Sequence, residues 1–594
     1  MGFLRKIKRD AIFAKRIFGI LRMTKDIVPD SAVTVADEIE ASVDRSPNSV
    51  AFVFEGHSTT YSSLDMRANQ IAQWALNQGY QSGDTIALIL ENCPDYVAVW
   101  YGLSKIGVVT ALINTNLEGE GLAHCVSIVD CKAIIASGVQ AEHAHKILPK
   151  IGSAPKLWDF DGKFGEDFSD DLSSKSTARP DKKLRSHLRG SDICLFIYTS
   201  GTTGLPKAAK VTQMRARGVG RTAIALSGIS GDDRVYNVLP LYHITGGGLG
   251  LIGPLHVGAT IILRRKFSAS AFWDDISENG ATMFVYIGEL CRYLLNAPRH
   301  AKENAHSLRA GFGNGLRGEV WRPFVERFNI PTMRELYGSS EGNVTFLNLD
   351  GTIGAVGQMP AWLDKKMGVA FVKFDVVEEI PIRDENGFCI KADIDEPGEA
   401  LGRIGNDGRQ SFSGYHDKKA TETKILKDVF EPGDRWFRTG DLMRRDADGY
   451  VHFVDRVGDT FRWKGENVAT NEVSDALSKY AGIALANVYG VEVPETEGRA
   501  GMAAITTEDG FDIVGLHAHL ANHLPVYAIP LFIRIQSEAD TTGTFKFRKV
   551  ELVKEGFDIK QISDPIWFLE PADDEYSMLQ ASQVKTINEG EYRY

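Results

Sequence analysis

The residue types best suited to chemistry fall in one run, D-I-C-L-F-I-Y-T-S-G-T-T-G-L-P-K, residues 192–207. An apolar stretch, residues 193–198, leads into a loop of hydroxyls and glycines that closes on a lysine. Gly201 and Gly204 let backbone N–H groups come close to an anion. Thr199, Ser200, Thr202 and Thr203 add hydroxyl donors, and Lys207 adds a positive charge. That combination suits a polyphosphate. It is not the G-x-x-x-x-G-K-[ST] loop, because Pro206 precedes the lysine. A solvated hydroxyl-rich turn is the simpler alternative, and a pattern this specific weighs against it.

Further motifs follow in order: L-P-L-Y-H at 239–243, Y-G-S-S-E-G at 337–342, T-G-D at 439–441, D-R-V-G-D-T-F-R-W-K-G-E-N at 455–467 and T-G-T-F-K at 542–546. Singly, T-G-D and D-R are common turn residues; the ordered set gives them weight. With the 199–207 loop they resemble the adenylate-forming superfamily of acyl-CoA synthetases, luciferases and peptide-synthetase adenylation domains. The resemblance covers nearly all of the chain after about residue 30. Four stretches, at 286–294, 313–317, 459–468 and 542–549, resemble the fatty-acid-transport-protein / very-long-chain acyl-CoA synthetase subgroup.

The resemblance implies an α/β protein. Its large multi-subdomain N-terminal adenylation domain (layered α/β sheets plus a distorted β-barrel, 31–456) precedes a small mobile α+β C-terminal domain (457–594), with a hinge near Gly458. It implies ATP, Mg²⁺ and coenzyme A as bound small molecules. Lys546 would act in adenylation, with Lys549 and Lys554 as nearby alternatives, and Lys207 and Glu341 would act with it. His243 would lie beside the acyl carboxylate. Glu341 offers a hard carboxylate for Mg²⁺, which takes one or two such ligands plus phosphate oxygens, and Thr199 is the second implied metal ligand. Tyr198 joins the 199–204 loop around the nucleotide, and Gly313, Asn314 and Gly315 stand where other branches carry an adenine loop. Tyr337 can stack on adenine while Gly338 keeps the backbone close, with Ser339 and Ser340 beside them. Asp441 can accept ribose hydroxyls and Arg456 can donate to ribose or phosphate; Phe453 is carried over with them. Lys464, Gly465 and Glu466 belong to the loop implied at the thioester site.

Composition sets the frame for these residues. The 594 residues carry a net charge of −11, a poor match to general nucleic-acid binding, and the length argues for more than one domain. Six cysteines without a C-x-x-C pair read as reduced thiols in an intracellular protein. Residues 1–26 hold eight basic and two acidic side chains, and Leu4, Ile7, Ala11, Ala14, Phe18 and Leu21 recur at helical spacing. That pattern predicts an amphipathic helix lying on an anionic membrane, at the inner face of the cell membrane, or else packed on its own protein. Residues 235–263 lack any Asp, Glu, Lys or Arg, but two prolines and six glycines argue for a buried segment over a membrane span.

Runs at 85–90 and 108–113 predict strands in an α/β layer. Residues 161–190, with 13 charged side chains, read as a polar surface loop. Turns at 383–387, 446–449 and 456–459 predict hairpins. The tail 565–594 suggests no role. The expected activity is ATP-dependent long-chain or very-long-chain fatty acid–CoA ligation through acyl-AMP. Its alternatives are a fatty-acid membrane transport protein and an acyl-AMP ligase that loads a carrier protein.

Overall fold

The computed structural model describes the chain except residues 1, 200–204, 377, 406–407, 409, 465, 495, 497, 540–548 and 572, and except the side chains of 2–9, 12, 361, 364–365 and 550. By its contacts the chain forms two compact units. The first comprises 1–368, 402–427 and 434–437; the second comprises 369–401, 428–433 and 438–594.

The first unit holds two large sheets. One runs, in spatial order, Glu166–Asp167, Lys156–Asp159, Ala133–Ala136, Thr85–Ile89, Val109–Leu112, Ile193–Thr199 and Lys207–Thr212. Its strands are parallel until the last, which turns back so that Thr199 lies opposite Lys207. Alternate residues of Thr85–Ile89 serve different cores: Ile86 and Leu88 join one, Ala87 and Ile89 the other. A parallel strand covered on both faces must be apolar throughout, which is why the run at 85–90 shows no alternation. The second sheet runs Thr345–Asn348, Met333–Gly338, Ala310–Asn314, Met283–Ile287, Arg234–Asn237, Thr260–Leu263, Val50–Phe54 and His57–Thr60. One core contains Ile86 and Leu88 from the first sheet, Phe52 and Ile261 from the second, and Trp74 and Tyr101 from helices. The layering follows from that shared core.

Residues 235–263 fold as a strand end, a π-helical segment Ile244–Ile252, the short helix Gly253–Val257 and the strand Thr260–Leu263. They are largely buried, and no helix among the described residues is long and apolar enough to cross a membrane.

Two sequence expectations are corrected. Residues 161–190 are not simply a surface loop. They contain the helix Phe168–Ser173, whose Phe168 and Leu172 are buried, with the Phe168 ring 4.8 Å from Trp74. Few apolar residues sufficed there because each is large and fully used. The turn at 456–459 joins strands that do not pair: Tyr450–Arg456 pairs with Arg435–Arg445, whereas Phe461–Trp463 pairs with Glu466–Val468. Turn residues report a reversal but not its partner strand. The helix Gly2–Met23 forms, but it docks through Phe13, Ile17 and Ile20 on a core of the second sheet, and Arg16 donates to the Leu349 carbonyl. Phe18 and Leu21, from the predicted stripe, remain exposed, Phe18 at 71%.

The second unit pairs residues 438–445 with Tyr450–Arg456, placing Asp441 opposite Arg456. A separate five-stranded sheet runs Ile483–Val491, Ala500–Thr507, Phe532–Gln536, Ile566–Phe568 and Ser577–Met578. It has its own core, including Val488, Ile505, Phe532 and Phe568. The tail 565–594 therefore completes this sheet and closes it with the helix Ala581–Asn588.

Candidate active site

The Met333–Gly338 strand delivers Y-G-S-S-E-G at its carboxyl end, where open α/β sheets bind ligands. Glu341 is almost buried, at 9% exposure, and its carboxylate accepts a 2.9 Å hydrogen bond from the Tyr415 hydroxyl. Burial, together with the Glu341 charge, pushes the Tyr415 phenol well above its usual range, so it stays a donor. Thr199 ends its strand close enough to Tyr415 to interact electrostatically, but its buried Oγ1 makes no aligned hydrogen bond. The Lys207 ammonium lies 5.8 Å from the centre of the Tyr415 ring. The structure thus gathers Thr199, Lys207 and Glu341 around Tyr415, a residue outside every quoted motif.

Arg215 was also missed. It stands in the first turn of the helix Gln213–Ser227, and its Nη2 donates to the Ser339 carbonyl at 2.5 Å. A cation there opposes the positive end of the helix dipole, and that mismatch was the available sequence signal. Ser339 Oγ accepts from the Gly342 N–H at 3.1 Å, closing the turn.

The G-N-G segment ends the strand Ala310–Asn314. A Cβ on Gly313 would fall 1.9 Å from the Tyr286 carbonyl oxygen, so only glycine lets these strands meet. Glu335 shapes the following turn: it accepts from the Gly315 N–H, the Leu316 N–H at 3.2 Å and the Tyr286 hydroxyl at 2.8 Å. Burial raises the Glu335 carboxyl to about 8 against these hydrogen bonds, so it is largely protonated at neutral pH. Thr245 Oγ1 donates to Asn314 Oδ1 at 2.8 Å and so ties the π-helical segment to this loop. Asn237 stabilises that segment by donating to the Gly246 and Gly250 carbonyls.

Other expected residues are placed as follows. Tyr198 is buried, with its hydroxyl donating to the Cys125 carbonyl at 2.6 Å, so its side chain serves the core. His243 precedes the π-helical segment, its ring 4.6 Å from that of Tyr242. Tyr337, half-buried, lies 5.9 Å from the Phe346 ring, and Gly338 is exposed while Ser340 is half-buried. Ser200, Gly201, Thr202, Thr203, Gly204, Gly465 and Lys546 lie outside the described residues.

In the second unit Arg456 Nε and Asp441 Oδ1 are 3.9 Å apart. The preceding T-G-D turn is held by Glu399, fully buried, which pairs with Arg438 at 2.8 Å and accepts from the Gly440 N–H. Phe453 is exposed on the neighbouring strand. Asp455 accepts from the Thr470 N–H at 2.6 Å and from Asn471 Nδ2 at 2.9 Å. Burial raises its carboxyl above the usual range, against the Lys549 charge. Lys549 itself is engaged, 3.0 Å from both Asp459 and Thr470 Oγ1. Lys464, at φ +51°, and the exposed Glu466 flank the turn of the 461–468 hairpin. Beside that hairpin opens a cleft of about 670 Å³, lined by Arg462 and Arg499 but also by Glu379 and Glu492.

The donor set around Glu341 fits Mg²⁺. It offers one carboxylate and one buried hydroxyl, hard oxygen donors of the kind Mg²⁺ takes together with phosphate oxygens. No group of three or more His, Cys, Asp or Glu that could hold a metal ion occurs among the described residues.

Residues 39–416 match the family of AMP-binding enzymes, and the chain is an enzyme of that class. Within it, the chain belongs to the family of long-chain fatty acid transport proteins. It is 40% identical over 570 residues to Long-chain fatty acid transport protein 6 of Mus musculus, covering 93% of this chain and 91% of the relative. It is also 40% identical over 542 residues to Long-chain fatty acid transport protein 2 of Rattus norvegicus, covering 90% and 87%. In fold it is similar to an anthranilate CoA ligase solved with anthranoyl-AMP, at TM-score 0.76 and 19% identity over 91% of this chain and 100% of that one. A fatty acyl CoA synthetase from Mycobacterium tuberculosis gives TM-score 0.63 and 20% identity over 88% and 98%. The expected α/β adenylate-forming fold is thereby established.

Proposed function

We propose that this chain is an ATP-dependent long-chain or very-long-chain fatty acid–CoA ligase working through an acyl-adenylate. The observation that carries the reading is the open polar cluster at Glu341. A carboxylate, a hydroxyl and a lysine converge there in a member of the fatty acid transport proteins, and among the described residues Thr199 Oγ1 makes no aligned hydrogen bond.

In the first half-reaction a fatty carboxylate oxygen bonds to the α-phosphorus of ATP, and the bond to the bridging oxygen breaks, releasing pyrophosphate. Glu341 and Thr199 are the residues that would hold Mg²⁺, and the ion would supply positive charge to the phosphates there. Lys207, with the 199–204 loop, orients the phosphates, and Tyr337 and the 313–315 turn seat the adenine. Such catalysis is mostly positioning and fixed charge. Lys546 contributes the second cation of this step. In the second half-reaction the CoA thiol loses its proton to solvent, its sulfur bonds to the acyl carbon, and AMP leaves. The domain 457–594 turns between the two steps about Gly458, whose φ of +88° suits a pivot that L side chains resist. The turn brings Lys464, Gly465 and Glu466 to the thioester site. Asp441 and Arg456 serve the ribose.

The same reading places the protein at the inner face of the cell membrane, in peripheral contact with anionic lipid through residues 1–26. Phe18 and Leu21 are exposed on a helix whose Lys15 and Arg22 are exposed with them, while Phe13 holds that helix to the body. Coupling to fatty-acid uptake is favoured by the names of the relatives. The test is CoA ligation across a fatty-acid chain-length series with AMP measured. Equimolar acyl-CoA and AMP are expected. ADP in place of AMP, or transfer only to a carrier protein, would overturn the reading.

A further inference from the structure

Arg215 is weakly partnered for a cation with a buried Nε. Arg185 and Arg217 are more deeply buried, and each has carboxylates in contact: Asp37 and Glu40 at 2.8 and 2.5 Å for Arg185, Asp26 and Glu38 at 2.5 and 2.9 Å for Arg217. Arg215 has none at salt-bridge distance among the described residues. Among the described residues its one hydrogen bond goes to a neutral acceptor, the Ser339 carbonyl, and its buried Nε has no partner. Glu341 lies near enough to act on it electrostatically, yet spends its own hydrogen bond on Tyr415.

A guanidinium stays charged and presents five N–H donors in a planar fork matched to carboxylate and phosphate. Leaving that fork mostly unused beside a sealed Nε is costly unless an anion completes it. The residue is only partly buried, so a ligand in the site can reach it. Its neighbours Ser339 and Glu341 belong to the turn at the reacting centre. Through Ser339 and Glu341, Arg215 adjoins the turn where the adenylation reading places the reaction, so the oxyanions within its reach are those that react.

We propose that Arg215 binds an oxyanion of the reacting substrates, the fatty carboxylate or the α-phosphate it attacks, and holds it against the 339–341 turn. This rests on the adenylation reading above. Arg215 makes and breaks no covalent bond; it fixes the approach of two anions that would otherwise repel.

The test compares the wild-type chain, Arg215→Met and Arg215→Lys in fatty-acid-dependent ATP–pyrophosphate exchange, with thermal melts on the same preparations. Arg215→Met should raise one substrate KM about ten- to a hundredfold, the value of a charge-assisted hydrogen-bonded contact. Arg215→Lys, which keeps the charge but not the fork, should recover part of the loss. A rise in the fatty-acid KM identifies the carboxylate as the ligand; a rise in the ATP KM identifies the phosphate. If both KM values stay within about twofold in both variants and only kcat or the melt falls, Arg215 merely braces the Ser339 turn and the proposal is overturned. Should Arg215→Met fail to fold, Arg215→Lys alone gives the same split. Absence of exchange in the wild-type chain would instead refute the adenylation reading itself.

Discussion

The polar clusters around Lys105 and around Glu341, both in the larger unit, are completed differently. At the first, Lys105 is wholly buried, its ammonium 2.9 Å from Glu40 and 2.7 Å from Asp65. Asp65 also accepts from Tyr101 and Arg179, and Glu40 from Arg185. Every charge there is answered from within the chain. At the second, Glu341 receives one tyrosine hydroxyl, while among the described residues Thr199 Oγ1 and Arg215 Nε make no aligned hydrogen bond. Burying polar groups is costly in both places. The first recovers that cost through its own contacts and reads as structure; the second leaves donors and acceptors for a ligand and reads as a site.

The contrast is sharpest under mutation. Lys105→Met should have the largest effect on folding, because it removes the buried cation shared by Glu40 and Asp65 and leaves Arg185 and Arg179 as their main partners; breaking a buried pair costs up to about 3–5 kcal/mol. Thermal unfolding checks it, and any folded fraction should retain wild-type KM values. Glu341→Gln should do the reverse, lowering fatty-acid-dependent exchange by about 10²–10³-fold while the melt holds or rises.

The pH dependence offers a subtler probe, since two glutamates should give slopes of opposite sign. Burial raises the Glu38 carboxyl, but a hydrogen bond and charge from His256, with Arg217 and Arg221, outweigh it and bring it to about 2. Its folded pKa lies below the unfolded one, so its stabilisation is present above about pH 4.5 and is lost as pH falls toward about 2. Glu335 is raised by burial to about 8 from 4.5. The folded state then binds the extra proton, and stability falls as pH rises across that interval. Glu38→Gln should flatten the acid limb and Glu335→Gln the neutral one in chemical unfolding. The smallest effect on folding is expected for Phe18→Glu with Leu21→Glu, within about 0.5 kcal/mol per surface site. Co-sedimentation with anionic vesicles should nonetheless fall while activity on soluble substrate persists.

These two clusters also differ in how far the sequence announces them. Thr199, Lys207 and Glu341 sit in short runs whose chemistry constrains neighbours, so they were legible. Tyr415 was not, because it is a lone tyrosine 74 positions from the glutamate it touches. The Lys105 cluster was invisible for the same reason: Arg185 and Glu40 are 145 positions apart. The amino-terminal helix was legible as a helix, but both of its sides are apolar, and spacing alone could not say which one Phe13 would bury. Strand existence at 85–90 and 108–113 followed from apolar continuity. The partner of the 456–459 turn did not, since pairing is settled by where each strand finds a sheet edge.

The central claim is that the open cluster at Glu341 forms an acyl-adenylate. The most direct measurement is ATP–pyrophosphate exchange by the wild-type chain with Mg²⁺ and a long-chain fatty acid, in the absence of CoA, with Glu341→Gln as the matched control. Exchange is expected to require the fatty acid, to proceed without CoA and to collapse in the variant. Exchange that ignores the fatty acid, or that survives in Glu341→Gln, would contradict it.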